Sequence, residues 1–113
     1  MPHCTIEYSA PISQQVSEND LMKAVFDGAL AANLFDEKSI KCRTQCYQSY
    51  LSVADQSNFV HVTIKIMSGR NFEQKNVLSQ SVLLYLQDLN MTDLSITVDI
   101  GDLESKCYAK ATA

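Results

Sequence analysis

Glycine (3) and proline (2) are scarce in the 113-residue chain, which excludes collagen-like and low-complexity architectures. Only nine basic side chains face thirteen acidic ones, for a net charge of −4. The nine are scattered, so a nucleic-acid surface is not expected. No run of 18 apolar residues occurs, so no segment reads as spanning a membrane. The opening Met1-Pro2-His3-Cys4 shows neither a basic stretch nor an apolar one behind it. No secretory signal is therefore read there, and the expected compartment is the cytoplasm. In that compartment Cys4, Cys42, Cys46 and Cys107 are expected to be free thiols. Cys42 and Cys46 lie four apart on a strand-like segment with no partner pair at finger spacing, so no metal site is expected. The glycine loops of nucleotide binders, the nucleophile elbow and the paired-histidine zinc motif are all missing. What remains is 46% hydrophobic and 19% charged, the balance of a globular chain with one core. One domain is expected over residues 1–113.

The chain resembles itself at about half its length. His3-Cys4-Thr5-Ile6-Glu7-Tyr8 is echoed by His61-Val62-Thr63-Ile64-Lys65-Ile66. Leu21, Val25, Phe26 and Ala29 are echoed by Leu78, Val82, Leu83 and Leu86. A further strand closes each half, around Ile40–Thr44 and Ile96–Ile100. Two β-α-β units follow, with halves of about 1–57 and 58–113. In the first helix Met22, Val25, Phe26, Ala29 and Leu30 fall at helical spacing, and Leu78, Val82, Tyr85, Leu86 and Leu89 do so in the second. Ser17 with Asp20 reads as a capping box, Asn71 with Gln74 can cap the second helix, and Asn33 suits the end of the first. Both stripes read as core rather than membrane face.

In all four strands the apolar residues hold even positions: Cys4, Ile6, Tyr8; Ile40, Cys42, Cys46; Val60, Val62, Ile64, Ile66; Leu94, Ile96, Val98, Ile100. Odd positions carry His3, Thr5, Glu7, Lys41, Arg43, His61, Lys65, Thr97 and Asp99. A period of two means one apolar face and one polar face. The fold class is α/β (α+β): a four-stranded sheet with two helices on one face. The bare face must meet water or another subunit. The segment Leu51–Asn58 reads as a loop, and Lys106–Ala113 has no period.

Few residues are candidates for chemistry. His3 and His61 occupy equivalent strand positions, which favours a structural or interface role. Glu7, on the polar face, reads as a solvated or ion-paired carboxylate. Pro2 shares parity with Cys4 and Ile6, so it should lie toward the apolar side. Removal of Met1 before so small a residue would leave a secondary amine. Burial and nearby cations both favour the neutral form of an amine, whose ordinary pKa is near 8. A neutral amine at pH 7 is a general base. Arg43 and Arg70 are the only arginines. Arg70 follows Ser68-Gly69 in a strand-to-helix turn, where backbone N–H groups favour anions. Arg43 stands mid-strand beside Lys41 on the polar face, where a guanidinium can hold a carboxylate through two hydrogen bonds.

Met1-Pro2-His3, the block Phe59-Val60-His61-Val62-Thr63-Ile64-Lys65-Ile66-Met67-Ser68-Gly69-Arg70, and Ile40-Lys41-Cys42-Arg43 followed by Val53-Ala54-Asp55 resemble the 5-carboxymethyl-2-hydroxymuconate isomerase family of the tautomerase superfamily. The resemblance runs over essentially the whole chain. It implies a homotrimer of tandem β-α-β chains that works without a cofactor on a small-molecule carboxylate substrate. It makes Pro2 the catalytic base and Arg70 the arginine of the Gly-Arg motif, and it puts the family's basic pair on Lys41 and Arg43. Lys41 departs from the arginine usual there; it keeps the charge and loses the fork. Cys46, Tyr47 and Tyr50 partly replace the aromatic residues of the pattern, which leaves the substrate open. The alternatives are a keto–enol tautomerase acting on phenylpyruvate-type acids and a non-catalytic binding trimer of the same superfamily.

Overall fold

Alternation and capping together produce the architecture. A computed structural model describes all 113 residues. The order is β1 (His3–Ser9), α1 (Glu18–Ala31), β2 (Lys41–Tyr47), β3 (Asn58–Met67), α2 (Phe72–Gln87) and β4 (Leu94–Leu103). Short 3-10 turns fall at Ala10–Gln14, Glu37–Ser39 and Ser105–Cys107. The sheet order is β2-β1-β3-β4. β1 runs parallel to β2, β3 runs parallel to β4, and the two central strands β1 and β3 are antiparallel. Each parallel pair is bridged by a helix, as the tandem β-α-β reading expects.

The even residues of β1 and β3 (Cys4, Ile6, Tyr8, Val60, Val62, Ile64, Ile66) are buried with Leu21, Val25 and Ala29 of α1 and Leu78, Val82 and Leu86 of α2. On the edges the alternation counts for less. Leu94, Ile96, Val98 and Ile100 of β4 are only half-buried, and Cys46 of β2 is exposed. A strand with a single neighbour is covered by the helices on one flank only. β2 also starts one residue later and ends three residues later than the expected segment Ile40–Thr44. Ile40 is buried just ahead of it, behind the 3-10 turn.

Both helix starts are capped, but differently. Asn71 accepts from the Gln74 N–H while the Gln74 side chain accepts from the Asn71 N–H, a complete capping box. Ser17 accepts from the Asp20 N–H, and no reciprocal bond forms. Aspartate is one methylene shorter than the glutamate or glutamine that closes such a box. Asn33, just past α1, takes the left-handed φ of 59° that ends a helix.

The two helices touch most closely at Gly28. An added Cβ there would stand 2.8 Å from Val82 Cα, and Ser81 Oγ donates to the Gly28 carbonyl at 2.7 Å. Gly28→Ala gains up to about 1 kcal/mol of helix propensity, against roughly 1–3 kcal/mol for forcing packed backbone apart. The strain wins, so this variant is expected to melt at a lower temperature than wild type; an equal or higher midpoint would mean the helices have slack. No helix is long and apolar enough to cross a membrane.

Candidate active site around Pro2

The start of β1 lies inside the sheet, not beyond it. The Pro2 side chain is fully buried, on the apolar side as its parity implies. Its carbonyl accepts from the Lys41 N–H at 3.1 Å, so the β1–β2 ladder extends one residue past β1. The parallel register then sets Lys41 against His3 and Arg43 against Thr5. Both cations are exposed on the face away from the helices.

Arg70 arrives from the other half of the chain. Gly69 has φ 119°, a left-handed conformation that β3 needs to turn into α2. Asn71 then begins the capping box, so Arg70 is fixed from both sides. Its Nη2 donates to the Leu34 carbonyl at 2.6 Å. The guanidinium carbon lies 5.8 Å from the centre of the Phe35 ring, within cation–π range. An open groove of about 420 Å³ beside it is lined by Arg70, Asn71, Phe72, Lys75 and Asp102. The grooves along α1 and α2 contain none of Pro2, Lys41, Arg43 or Arg70.

Charge converges on the chain start. The Met1 amine is held below its usual pKa, first by burial and then by Arg70, Lys110 and Lys41. The His3 imidazole is lowered likewise, by burial and then by Arg43, Lys41 and the amine. Arg70, Lys110 and Lys41 thus act on the amine, and Arg43 acts on His3. Its Nη2 lies 3.4 Å from His3 Nδ1. With Met1 attached, the Pro2 nitrogen is a tertiary amide without basicity, and the amine belongs to Met1.

Other polar-face residues have partners. The Tyr47 hydroxyl donates to the Glu7 carboxylate, which pushes the Tyr47 pKa up. Glu7 is therefore hydrogen-bonded by a phenol instead of ion-paired. His61 Nδ1 lies 2.6 Å from Thr97 Oγ1. Two groups near the amine have no forerunner in the sequence reading. Lys110 acts on it more strongly than Lys41 does, and the Tyr108 hydroxyl lies 2.8 Å from His3 Nε2. That contact spans 105 residues, and a segment without period carries no signal for it.

Residues 2–112 match the family described as 5-carboxymethyl-2-hydroxymuconate isomerase. Among curated protein sequences none matches the chain significantly. Among solved structures, a 5-carboxymethyl-2-hydroxymuconate isomerase from Deinococcus radiodurans R1 superposes with a TM-score of 0.82 at 23% identity, covering 99% of this chain and 90% of that one. A 5-carboxymethyl-2-hydroxymuconate delta-isomerase gives a TM-score of 0.85 at 12% identity, over 100% of this chain and 89% of that one. The wild-type Q0 fused 4-OT, a symmetric trimer, gives 0.76 at 16% identity, over 96% of this chain and 91% of that one. At these identities the structural likenesses establish the fold alone. The family match covers nearly every residue, and on it the chain belongs to the 5-carboxymethyl-2-hydroxymuconate isomerase family and is an isomerase.

Proposed function

We propose that the protein, once Met1 is removed, moves a proton along an unsaturated 2-hydroxy or 2-oxo carboxylic acid of the 5-carboxymethyl-2-hydroxymuconate type, with the Pro2 nitrogen as base and no cofactor. The observation that carries this is the setting of the chain start: Pro2 is fully buried and tied through its carbonyl to the Lys41 N–H, and burial with the charges of Arg70, Lys110 and Lys41 holds the amine there below its ordinary pKa. Loss of Met1 moves the amine one residue along, onto Pro2, whose side chain is fully buried. A neutral secondary amine takes the proton of the 2-hydroxyl and returns it to a carbon further along the conjugated system. Arg70, Lys41 and Arg43 hold the carboxylates and stabilise enolate charge. Family membership points to the same chemistry.

The test is an ultraviolet assay of the processed protein with 2-hydroxymuconate-type dienols and with enolised phenylpyruvate. Turnover of the dienols is expected; turnover of phenylpyruvate alone would move the substrate to one-carboxylate keto acids. The base works only when neutral. Activity is therefore full above the lowered amine pKa and falls as pH drops through it, so kcat/KM should show an acid limb below the pKa of an N-terminal proline in a short peptide. A limb at or above that pKa would exclude a depressed amine.

The site reads as completed by neighbours in a homotrimer. Leu51 (93% exposed), Val53 (99%) and Phe72 (88%) stand unpartnered in one chain. β2, the neighbour of β1, is an open edge of the sheet. Sedimentation of the intact protein is expected to show a species near three times 12.6 kDa; a clean monomer would remove the trimer.

A further inference from the structure

We propose that the segment after β4, Glu104–Lys110, is a built wall of the site, and that Tyr108 and Lys110 bind the second carboxylate of a dicarboxylate substrate. This rests on Pro2 marking the reacting end.

The segment is fastened at two places that matter. At its start, the Ser105 N–H and the Ser68 hydroxyl meet at 3.4 Å, Ser68 Oγ and Ser105 Oγ lie 3.3 Å apart, and the Ser68 N–H donates to the Leu103 carbonyl at 2.9 Å. Ser68 stands two residues ahead of Arg70. The turn is closed on itself by Glu104, whose carboxylate accepts from the Lys106 N–H at 3.2 Å and whose carbonyl accepts from the Cys107 N–H at 3.0 Å. At its far end Tyr108 is half-buried against His3, the residue after Pro2, with ring centres 6.1 Å apart. One strap therefore joins the loop of the Gly-Arg motif to the first residue of β1.

The tautomer of His3 decides what the Tyr108 hydroxyl can do. Arginine has donors only, so the Arg43 contact at 3.4 Å makes His3 Nδ1 the acceptor. The neutral ring then carries its proton on Nε2 and donates it to the Tyr108 oxygen at 2.8 Å. The lowered pKa of His3 agrees with a neutral ring. The Tyr108 O–H proton is thereby left over, on an oxygen held beside the chain start. Lys110, two residues on, is exposed and brings a positive charge felt at the amine. A hydroxyl donor and an ammonium two residues apart can both serve one carboxylate, and Lys110 is in neither ion pair of the chain.

The experiment separates binding from turnover. The probe is cis,cis-muconate, a diene dicarboxylate without the 2-hydroxyl, titrated calorimetrically into the intact wild-type protein and into Y108F, K110Q and K110R. Y108F keeps the ring and its packing and loses only the O–H. It is expected to weaken muconate binding about tenfold, the worth of a hydrogen bond to a charged group. K110Q is expected to weaken it about three- to fivefold, as for an exposed ion pair, and K110R to restore it. In turnover of 2-hydroxymuconate, measured above the acid limb of each protein, the same variants should raise KM by similar factors, with kcat within about twofold. For enolised phenylpyruvate, with its single carboxylate, KM should move little. Equal muconate affinity in wild type, Y108F and K110Q overturns the wall, as does failure of the wild type to bind muconate. If muconate binding follows the expected order while 2-hydroxymuconate is not turned over, the wall stands and the isomerase reading of Pro2 falls.

Discussion

Blocking the chain start is expected to lower kcat/KM by roughly 10²–10⁴-fold, the contribution of a well-placed general base. The cleanest block is protein that retains Met1, because its Pro2 nitrogen is an amide. Intact mass identifies that species, and assays of the retained and processed forms compare the same fold. Pro2→Ala is milder. It is also trimmed readily, and it leaves a primary amine at the same point of the ladder, still tied through its carbonyl to the Lys41 N–H. A loss of at least about tenfold in turnover is expected, because the amine changes in basicity and loses the ring that holds it in place. The burial and the cations that lower the pKa are unchanged, so the acid limb should persist. Undiminished turnover in the Met1-retaining protein would remove Pro2 from the chemistry altogether.

Arg70→Ala has the next largest expected effect. A charged hydrogen bond to a carboxylate is worth about 1.5–3 kcal/mol, so KM for a dicarboxylate dienol should rise roughly 10- to 150-fold. Neutral analogues should be affected far less. Arg70 is also the foremost cation acting on the amine. Its removal raises the amine pKa, so the acid limb of kcat/KM should move to higher pH. Two controls separate recognition from scaffolding, because the guanidinium also donates to the Leu34 carbonyl and lies against Phe35. The thermal midpoint measures the scaffolding. Arg70→Lys keeps the charge and loses the planar fork, so it should hold the acid limb near its wild-type place while KM stays raised. Equal losses on charged and neutral compounds would count against carboxylate binding by Arg70.

These expectations rest on a division between local and long-range information. Alternation in β1 and β3 was legible because both strands are central, with helices covering one face fully. The same rule faded in β2 and β4, where Cys46 emerges into solvent. That follows from strand order, which alternation does not encode. The cap positions were legible at the level of single residues, but the box expected at Ser17 and Asp20 forms only on the Ser17 side, whereas Asn71 and Gln74 bond reciprocally. Lys41 and Arg43 could be placed on the polar face from parity alone.

Pairing across the chain was not legible. Nothing local in Lys106–Ala113 marks Tyr108 as the partner of His3 or Lys110 as a neighbour of the amine. Those contacts exist because β4 lies beside β3 and its end returns to Ser68, at the turn that carries Arg70. The order of residues determined periods, caps and the polarity of each sheet face, since these depend on neighbours within one turn or one pleat. Only the tertiary structure decided which cations surround the chain start. Their positions depend on strand order and register, set by the packing of the whole sheet.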